Sequence, residues 1–320
     1  MDEFAIIKHV FRPLAGNDTP AMNLENDTAI WHPPLGHDLV MTKDVMVEGV
    51  HFLPNEDAGV IAQRLLRVNL SDLAASGAKP QGYLLGFIGK AKVEEKWLMA
   101  FAAGLARDQE EFHISLFGGD TVSGSQSLAL SLTAIGSVPT GQAMTRGGAK
   151  PGDHVFVSGT IGDGYLGLQS LLGNSARDDD AIRSYQLPEP RLRLGLELRG
   201  LASASIDVSD GLLADMHHIC EASRVGGAIN LDEVPLSPSG KKYACENMAQ
   251  LLRLATSGDD YELLFTVPEK KAARVHEIAA KVGLSLTRIG EITGGSKFSV
   301  FGSDGKEIDV SMHGYRHLNR

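Results

Sequence analysis

Two series of strand-like and helix-like hydrophobic patterns, separated by a glycine-rich segment, restrict the fold of this chain more than any other feature. Strand patterns lie at 38–44, 83–90, 127–138, 154–158, 204–208, 261–267 and 286–292. Helical spacing of apolar residues is found at 59–78, 94–111, 164–173, 211–224 and 269–282. The segment 141–152 has many glycines and few apolar residues, which is typical of a domain boundary. We therefore predict two α/β domains, an N-terminal one at 1–140 and a C-terminal one at 150–320.

Composition excludes several classes of protein. The net charge of −10 argues against a nucleic-acid partner, because phosphate backbones are bound by clustered Lys and Arg. Only Cys220 and Cys245 are present, which disfavours a disulfide framework or a structural zinc site. The chain begins with acidic residues and has no apolar run long enough to span a bilayer. We expect a cytoplasmic protein with no membrane partner.

Aspartates at the ends of apolar segments, or inside them, are the main chemical signal. They are Asp27, Asp44, Asp72, Asp120, Asp207, Asp210, Asp259 and Asp260. Any one of them could be an ordinary helix cap or turn residue. Together they suit Mg²⁺, a hard cation that usually binds through one or two carboxylates and substrate phosphates. A polyphosphate near so many carboxylates would be repelled without cations, so the pattern predicts metal and phosphate together.

Two of these aspartates have informative surroundings. Asp44 is expected at the end of the strand 38–44. Asp72 lies within an apolar helical pattern, where a carboxylate is costly unless it is paired or bound to metal. Asn69 falls on the same helical face and could share a ligand with Asp72 or simply make a hydrogen bond within the protein.

The glycine-rich motifs point away from the common nucleotide-binding loops. The chain has no GxxxxGK[ST] motif, and the HRD and DFG motifs of protein kinases are also missing. Residues 162–167 match GxGxxG, but the second strand of a dinucleotide-binding unit is not found after the helix that follows. Asp163 within this motif could still approach a phosphate or a metal. Arg146, in a second glycine-rich loop, is a candidate phosphate clamp, although a solvated linker arginine is an equal alternative.

Six motifs in order along the chain resemble those of the thiamine-monophosphate kinase family. They are Asn26-Asp27-Thr28-Ala29, Thr42-Lys43-Asp44 with Val47-Glu48-Gly49-Val50-His51-Phe52, Asn69-Leu70-Ser71-Asp72, Gly118-Gly119-Asp120-Thr121, Asp207-Val208-Ser209-Asp210-Gly211 and Ser257-Gly258-Asp259-Asp260-Tyr261-Glu262. Each string is weak alone, but their common order and spacing make coincidence improbable.

The resemblance implies an aminoimidazole ribonucleotide synthetase-like fold of two α/β domains. In that family the N-terminal domain forms the interface of a homodimer, and ATP lies between the two domains. The implied reaction is the Mg²⁺-dependent transfer of the γ-phosphoryl group of ATP to thiamine monophosphate.

The resemblance also assigns roles to particular residues. The implied magnesium ligands are Asp27, Thr42, Asp44, Asp72, Asp120, Asp207 and Asp210. The implied ATP contacts are Gly119, Asp120, Arg146 and Ser209, and the implied contacts to thiamine monophosphate are His51, Asp259 and Tyr315. Asp72, Asp210 and Arg146 are the candidate catalytic residues.

Two departures from the family pattern keep alternatives open. Asn26 stands where the family usually has a second aspartate, and Lys43 replaces a small hydroxyl residue beside Asp44. Either change could reduce magnesium binding, and Lys43 could neutralise phosphate in place of a metal. The alternatives are another ATP-using member of the same superfamily and a non-catalytic protein that binds nucleotide or thiamine phosphate.

Overall fold

The chain divides into two compact units of mixed α/β structure. The computed structural model describes residues 3–16, 20–245, 247–302 and 304–310. One unit comprises Met1–Leu73 and Ala78–Gly141, and the other comprises Ala74–Gly77 and Gln142–Arg320. The α/β class predicted from the hydrophobic patterns is confirmed.

The first unit is built on a four-stranded sheet. Its helices are α1 (Glu3–Ile6), α2 (Arg12–Ala15), α3 (Ala58–Ala75) and α4 (Glu95–Phe112). Its strands are β1 (His37–Val47), β2 (Lys79–Lys90), β3 (Ser115–Ser125) and β4 (Ala129–Pro139). The strand order is β1-β4-β2-β3, with β2 and β3 parallel and the other pairs antiparallel.

The two faces of this sheet differ because successive side chains of a strand point to opposite sides. On β4, Leu130, Leu132 and Ala134 are fully buried, so their face carries the core. The register pairs Thr42 with Ala134 and Asp44 with Leu132, which places both β1 residues on this inner face. The other face exposes large apolar side chains, and we call it the outer face: Leu39, Met41, Val45, Leu84 and Val122.

The second unit is built on a seven-stranded mixed sheet. Its helices are α5 (Asp163–Leu171), α6 (Asp179–Gln186), α7 (Leu192–Leu198), α8 (Leu212–Ser223), α9 (Pro238–Ala244), α10 (Met248–Thr256) and α11 (Ala273–Val282). Its strands are β5 (Asp153–Ser158), β6 (Ala204–Asp207), β7 (Gly226–Asn230), β8 (Leu263–Pro268), β9 (Leu286–Thr293), β10 (Phe298–Phe301) and β11 (Glu307–Ile308). The strand order is β11-β10-β7-β9-β5-β8-β6.

Two hydrophobic clusters cover the two faces of this second sheet. One joins Val155 and Val157 of β5 to Leu212 and Met216 of α8. The other joins Phe156 of β5 to helices α7 and α11. The alternation of side chains along β5 therefore serves a separate core on each side of the sheet.

One element differs from its predicted bounds in a way that matters for the site. β1 continues to Val47, so the prediction that Asp44 ends the strand is wrong. The extension is stabilised by pairing of residues 45–47 with Ala129–Ser131 of β4, a long-range contact that local patterning does not reveal. Asp44 is consequently held inside a paired strand.

Within the described part of the chain, helices with the length and hydropathy of a membrane span are not found.

Candidate active site

A carboxylate pair lies where β1 faces α3. The Thr42 hydroxyl donates a hydrogen bond of 2.5 Å to Oδ2 of Asp72. Asp44 follows Thr42 by two residues and points to the same face. Burial, and next the charge of Asp72, raise the pKa of the Asp44 carboxyl to about 7. Thr42, Asp44 and Asp72, three predicted magnesium ligands, are thus brought together on the inner face.

Asn69 fixes this pair in place. Its Oδ1 accepts a hydrogen bond from the backbone N–H of Asp44 at 3.2 Å, and its Nδ2 donates to the carbonyl of Leu65 at 2.9 Å. The side chain is fully buried. Of the two sequence-based interpretations, the hydrogen bond within the protein is the one observed, because the amide links α3 to β1 beside Asp44.

Asp120 lies on the other side of the sheet from Asp44. The register pairs Asp120 with Gly86 of β2, and Gly86 pairs with Ser131 of β4. Ser131 belongs to the same face as Lys43, whose Nζ donates to its hydroxyl at 2.7 Å. Within the first unit, therefore, the predicted ligands lie on both faces of the sheet and do not form a single cluster.

A cavity of about 840 Å³ occupies part of this outer side. Asn26, Asp27, Lys43 and Asp120 all line it, together with Trp31. Lys43 therefore faces Asp27 and Asp120 and points away from Asp44. A phosphate that Lys43 neutralises in place of a metal would therefore lie on the outer side, in the cavity that Asp27 and Asp120 also line.

Gly119 has a structural explanation of its own. It pairs with Leu85, and a Cβ atom at this position would lie 2.0 Å from the Leu85 carbonyl oxygen. Only glycine permits the close approach of β2 and β3 here.

His51 is oriented by the backbone at the end of β1. The N–H of Val47 donates to Nδ1 of His51 at 3.0 Å, within a turn that has Gly49 at φ +78°. A neutral ring that accepts at Nδ1 carries its proton on Nε2. His51 can therefore offer Nε2–H as a hydrogen-bond donor.

In the second unit, Asp215 organises the turn that carries Ser209 and Asp210. Its Oδ2 accepts hydrogen bonds from the backbone N–H groups of Ser209, Asp210 and Gly211 at 3.0, 3.1 and 3.2 Å. Asp207 lies at the buried end of β6, immediately before this turn. The structure thus brings three predicted site residues, Asp207, Ser209 and Asp210, into one strand-to-helix connection.

Asp215 and His218 are candidate ligands that the sequence analysis missed. Oxygen or nitrogen atoms of Asp210, Asp215 and His218 all lie within 4.8 Å of one another. Burial, and next the charge of Asp210, raise the pKa of the Asp215 carboxyl to about 7. Asp215 could have been found from the sequence, because it is a carboxylate within the apolar pattern of α8. The same kind of pattern singled out Asp72.

The loop before β8 runs alongside this turn. The N–H of Asp259 donates to the carbonyl of Ser209 at 3.0 Å, and the N–H of Tyr261 donates to the carbonyl of Val208 at 2.8 Å. Asp260 points away from the turn, since its carboxylate accepts hydrogen bonds from the N–H groups of Gly162 and Gly164 at the start of α5. Asp259 therefore lies next to Ser209, whereas Asp260 has a capping role.

Asp163 and the surrounding glycines are also explained by structure. The Asp163 carboxylate accepts hydrogen bonds from Thr160 at 2.6 Å and Ser237 at 2.5 Å. A Cβ atom on Gly164 would lie 2.3 Å from the Asp259 carbonyl oxygen. The neighbours of β5 are both antiparallel, so the parallel unit of a dinucleotide-binding fold does not form around the GxGxxG match.

Arg146 lies apart from the Asp210 turn. Its side chain is exposed, and its loop is held through Ser223, whose hydroxyl accepts from the N–H groups of Gly148 and Ala149 at 3.1 Å. Ser223 is the last residue of α8, whereas Asp210 lies just before its first residue. The ends of a helix of this length are about 17 Å apart. The two candidate catalytic residues are not adjacent in this unit.

The donor sets fit a hard divalent cation. Thr42, Asp44 and Asp72 offer oxygen atoms only, which is the ligand type that Mg²⁺ prefers. Burial, and next the charge of Asp72, raise the pKa of the Asp44 carboxyl and so make its ionised form costly here, and a bound divalent cation would reduce that cost. The same reasoning applies to Asp210 and Asp215.

The chain matches one family along most of its length. The N-terminal domain of AIR synthase related proteins matches residues 25–138, and the C-terminal domain matches residues 150–303. The thiamine-monophosphate kinase of Caulobacter vibrioides is 43% identical over 319 residues, covering 98% of this chain and 90% of the relative. The chain belongs to the thiamine-monophosphate kinase family.

Solved structures of thiamine-monophosphate kinases agree with this membership. The crystal structure of the enzyme from Stenotrophomonas maltophilia has a TM-score of 0.83 and 36% identity, covering 96% of this chain and 98% of that one. A structure described as AaThiL complexed with AMPPCP and TMP has a TM-score of 0.78 and 30% identity, covering 91% of each chain. Tyr315, a predicted substrate contact in this family, lies outside the described residues.

We predict that the substitution Asp72→Asn stabilises the metal-free protein at neutral pH. The pKa values of the Asp44 and Asp215 carboxyls are raised in the folded protein. The free energy of unfolding is therefore highest at low pH and falls as these two carboxyls ionise, up to about pH 7. The variant removes the charge that opposes ionisation of Asp44. After treatment with a chelator, the melting temperature of D72N should be about 2–4 °C above that of the wild type near pH 8. Near pH 5 the two melting temperatures should be equal.

The matched control for this prediction is Glu110→Gln, which neutralises an exposed carboxylate in the same unit. This control should leave the melting temperature unchanged at both pH values. A lower melting temperature of D72N near pH 8 would contradict the electrostatic account.

Proposed function

We propose that this protein transfers the γ-phosphoryl group of ATP to thiamine monophosphate in the presence of Mg²⁺, giving thiamine diphosphate and ADP. The main support for this proposal is the match to thiamine-monophosphate kinases over almost the whole chain, together with the paired carboxylates in each unit. The AaThiL relative, described as complexed with AMPPCP and TMP, supports this pair of substrates.

The chemistry requires alignment more than acid–base catalysis. An oxygen of the thiamine monophosphate phosphate forms a bond to the γ-phosphorus, and the bond from that phosphorus to the β-phosphate oxygen breaks to release ADP. The second pKa of a phosphate monoester is near 6, so the attacking oxygen is already anionic at neutral pH. The main obstacle is repulsion between two polyanions.

The chain's own carboxylates are proposed to hold the cations that reduce this repulsion. Thr42, Asp44 and Asp72 would hold Mg²⁺ in the first unit, and Asp207, Asp210 and Asp215 would do so in the second. Bound Mg²⁺ supplies positive charge to the phosphate oxygens. Asp27 and Asp120 line the outer cavity and are proposed ligands there.

The remaining proposed contacts follow the family pattern. We assign Gly119, Asp120, Arg146 and Ser209 to ATP. We assign His51, Asp259 and Tyr315 to thiamine monophosphate. The hydrogen bond that Nδ1 of His51 accepts from the N–H of Val47 fixes the orientation of the ring, which supports a defined binding role.

The direct test is formation of thiamine diphosphate and ADP from ATP and thiamine monophosphate, with and without Mg²⁺. The variants D72N and D210N should each lose turnover by more than about a hundredfold, because each removes a charge that holds cation. Both should keep the circular dichroism spectrum of the wild type. The control E110Q should retain full turnover.

Two results would contradict this proposal. Turnover near the wild-type level in both D72N and D210N would show that these carboxylates are not part of the reaction. Tight binding of both substrates by the wild type without product would instead support the binding-protein alternative.

We also propose that the protein is a homodimer formed through the outer face. This face presents five large apolar side chains that are each between 40% and 66% exposed. An exposed apolar surface of this kind favours association, and the same patch on two copies suits a twofold contact. Such a contact would also surround the cavity that Asp27 and Asp120 line.

The substitution Met41→Glu should convert the dimer to a monomer, because it places a charge at the most exposed apolar position of the outer face. Sedimentation velocity measures the change. The control Leu172→Glu alters an exposed apolar residue of α5's C-terminal end, in the second unit, and should leave the dimer intact. A monomeric wild type would contradict the proposal.

We propose a cytoplasmic location, which the two free cysteines support.

A further inference from the structure

A buried ion pair lies behind the loop that carries Asp259. Nε of Arg191 donates to Oε2 of Glu262 at 2.7 Å, and Nη2 donates to Oε1 at 2.5 Å. This is the two-pronged geometry that only arginine can offer a carboxylate. The Glu262 side chain is 7% exposed, and that of Arg191 is 22% exposed.

Glu262 is fixed from a second direction by the end of β5. The Ser158 hydroxyl donates to Oε2 of Glu262 at 2.5 Å and accepts from the N–H of Leu263 at 2.9 Å. Gly159 leaves room for the carboxylate, since a Cβ atom there would lie 2.0 Å from Oε1. Glu262 therefore joins the end of β5, the start of α7 and the start of β8.

The loop that Glu262 ends has an unfavourable backbone. Asp259 has φ +70° and Tyr261 has φ +53°, backbone angles that residues other than glycine rarely adopt. Such conformations are unfavourable and persist only where the surrounding structure imposes them. The 258–262 loop therefore depends on its anchors to keep this conformation.

The 258–262 loop and the neighbouring turn share backbone hydrogen bonds, but each also has a side-chain anchor of its own. The carbonyl of Glu262 accepts a hydrogen bond from the N–H of Val208 at 2.8 Å. This is the first of the backbone hydrogen bonds that join the loop to the turn, and the last is made by the N–H of Asp259. The Ser209–Gly211 turn has an anchor of its own in Asp215. Loss of the Arg191–Glu262 pair should therefore displace Asp259 more than Ser209.

We propose that Arg191 and Glu262 are positioning residues, whose ion pair holds Asp259 in place to bind the phosphoryl acceptor. This inference rests on the proposed function, in which Asp259 contacts thiamine monophosphate and Ser209 contacts ATP. It predicts a selective effect on the acceptor. A role in general stability would affect both substrates alike.

The test compares R191K and R191M with R193M, which removes an exposed arginine two residues later, within α7. R191K keeps the charge but loses the two-pronged geometry, so the KM for thiamine monophosphate should rise about tenfold. The KM for ATP and the kcat should change by less than about threefold. R191M should show a larger rise in the same parameter, and R193M should resemble the wild type.

Two further measurements separate this proposal from the proposed reaction. Calorimetric titration of thiamine monophosphate in the presence of AMPPCP should show the same selective loss of affinity without turnover. Hydrogen exchange at the amides of Asp259 and Tyr261 should be faster in R191M than in R193M, whatever the protein catalyses. If the wild type has no kinase activity, the proposed reaction is wrong. The titration and the hydrogen-exchange experiment still test the positioning role in that case.

Equal rises in the KM of both substrates in R191K would overturn the proposal, as would unchanged KM values together with unchanged amide exchange. If R191M fails to fold, R191K still decides the question, because it retains a cation beside Glu262.

Discussion

Burial of carboxylates that the fold also holds close to a second carboxylate is the constraint on which the rest of this structure depends. Asp44 and Asp72 meet between β1 and α3, and Asp210 and Asp215 meet at the start of α8. In both pairs one carboxyl has its pKa raised to about 7. A protein that keeps such pairs accepts a cost in stability, and a bound divalent cation is the physical means of recovering it.

Hydrogen bonds and one ion pair hold the carboxylates of both units in position. Asn69 fixes the backbone of Asp44, and Asp215 gathers three N–H groups of the turn before α8. Asp260 caps α5, and Glu262 pairs with Arg191. Residues that look equivalent in the motifs therefore divide into those proposed to bind a ligand and those, such as Asp260, whose carboxylate holds another segment of the chain. This division follows from hydrogen-bond partners, which spacing along the chain does not reveal.

The sequence was sufficient to predict the α/β class and most of the long elements, because their hydrophobic periods are strong. It also singled out Asp72 correctly as a carboxylate inside a helix. It placed Asp44 at a strand end, since the pairing that extends β1 is with residues about 85 positions away. Strand β3 has no clear apolar alternation around its glycines and was not predicted.

The spatial grouping of the site was beyond sequence reasoning for a related reason. The faces of β1 and β3 depend on register, so the separation of Asp120 from Asp44 could not be read from the motifs. Asp215 and His218 were missed because the motif that matches the family stops at Gly211. The family resemblance supplied the candidate site residues but did not predict which of them share a face.

The central claim is that the carboxylate pairs exist to hold divalent cations against the phosphates. The most direct measurement is the anomalous difference density of crystals grown with Mn²⁺, AMPPCP and thiamine monophosphate. This account predicts manganese peaks beside Asp44 and Asp72 and beside Asp210, each in contact with phosphate oxygens. Bound substrates with no manganese at either pair would contradict it.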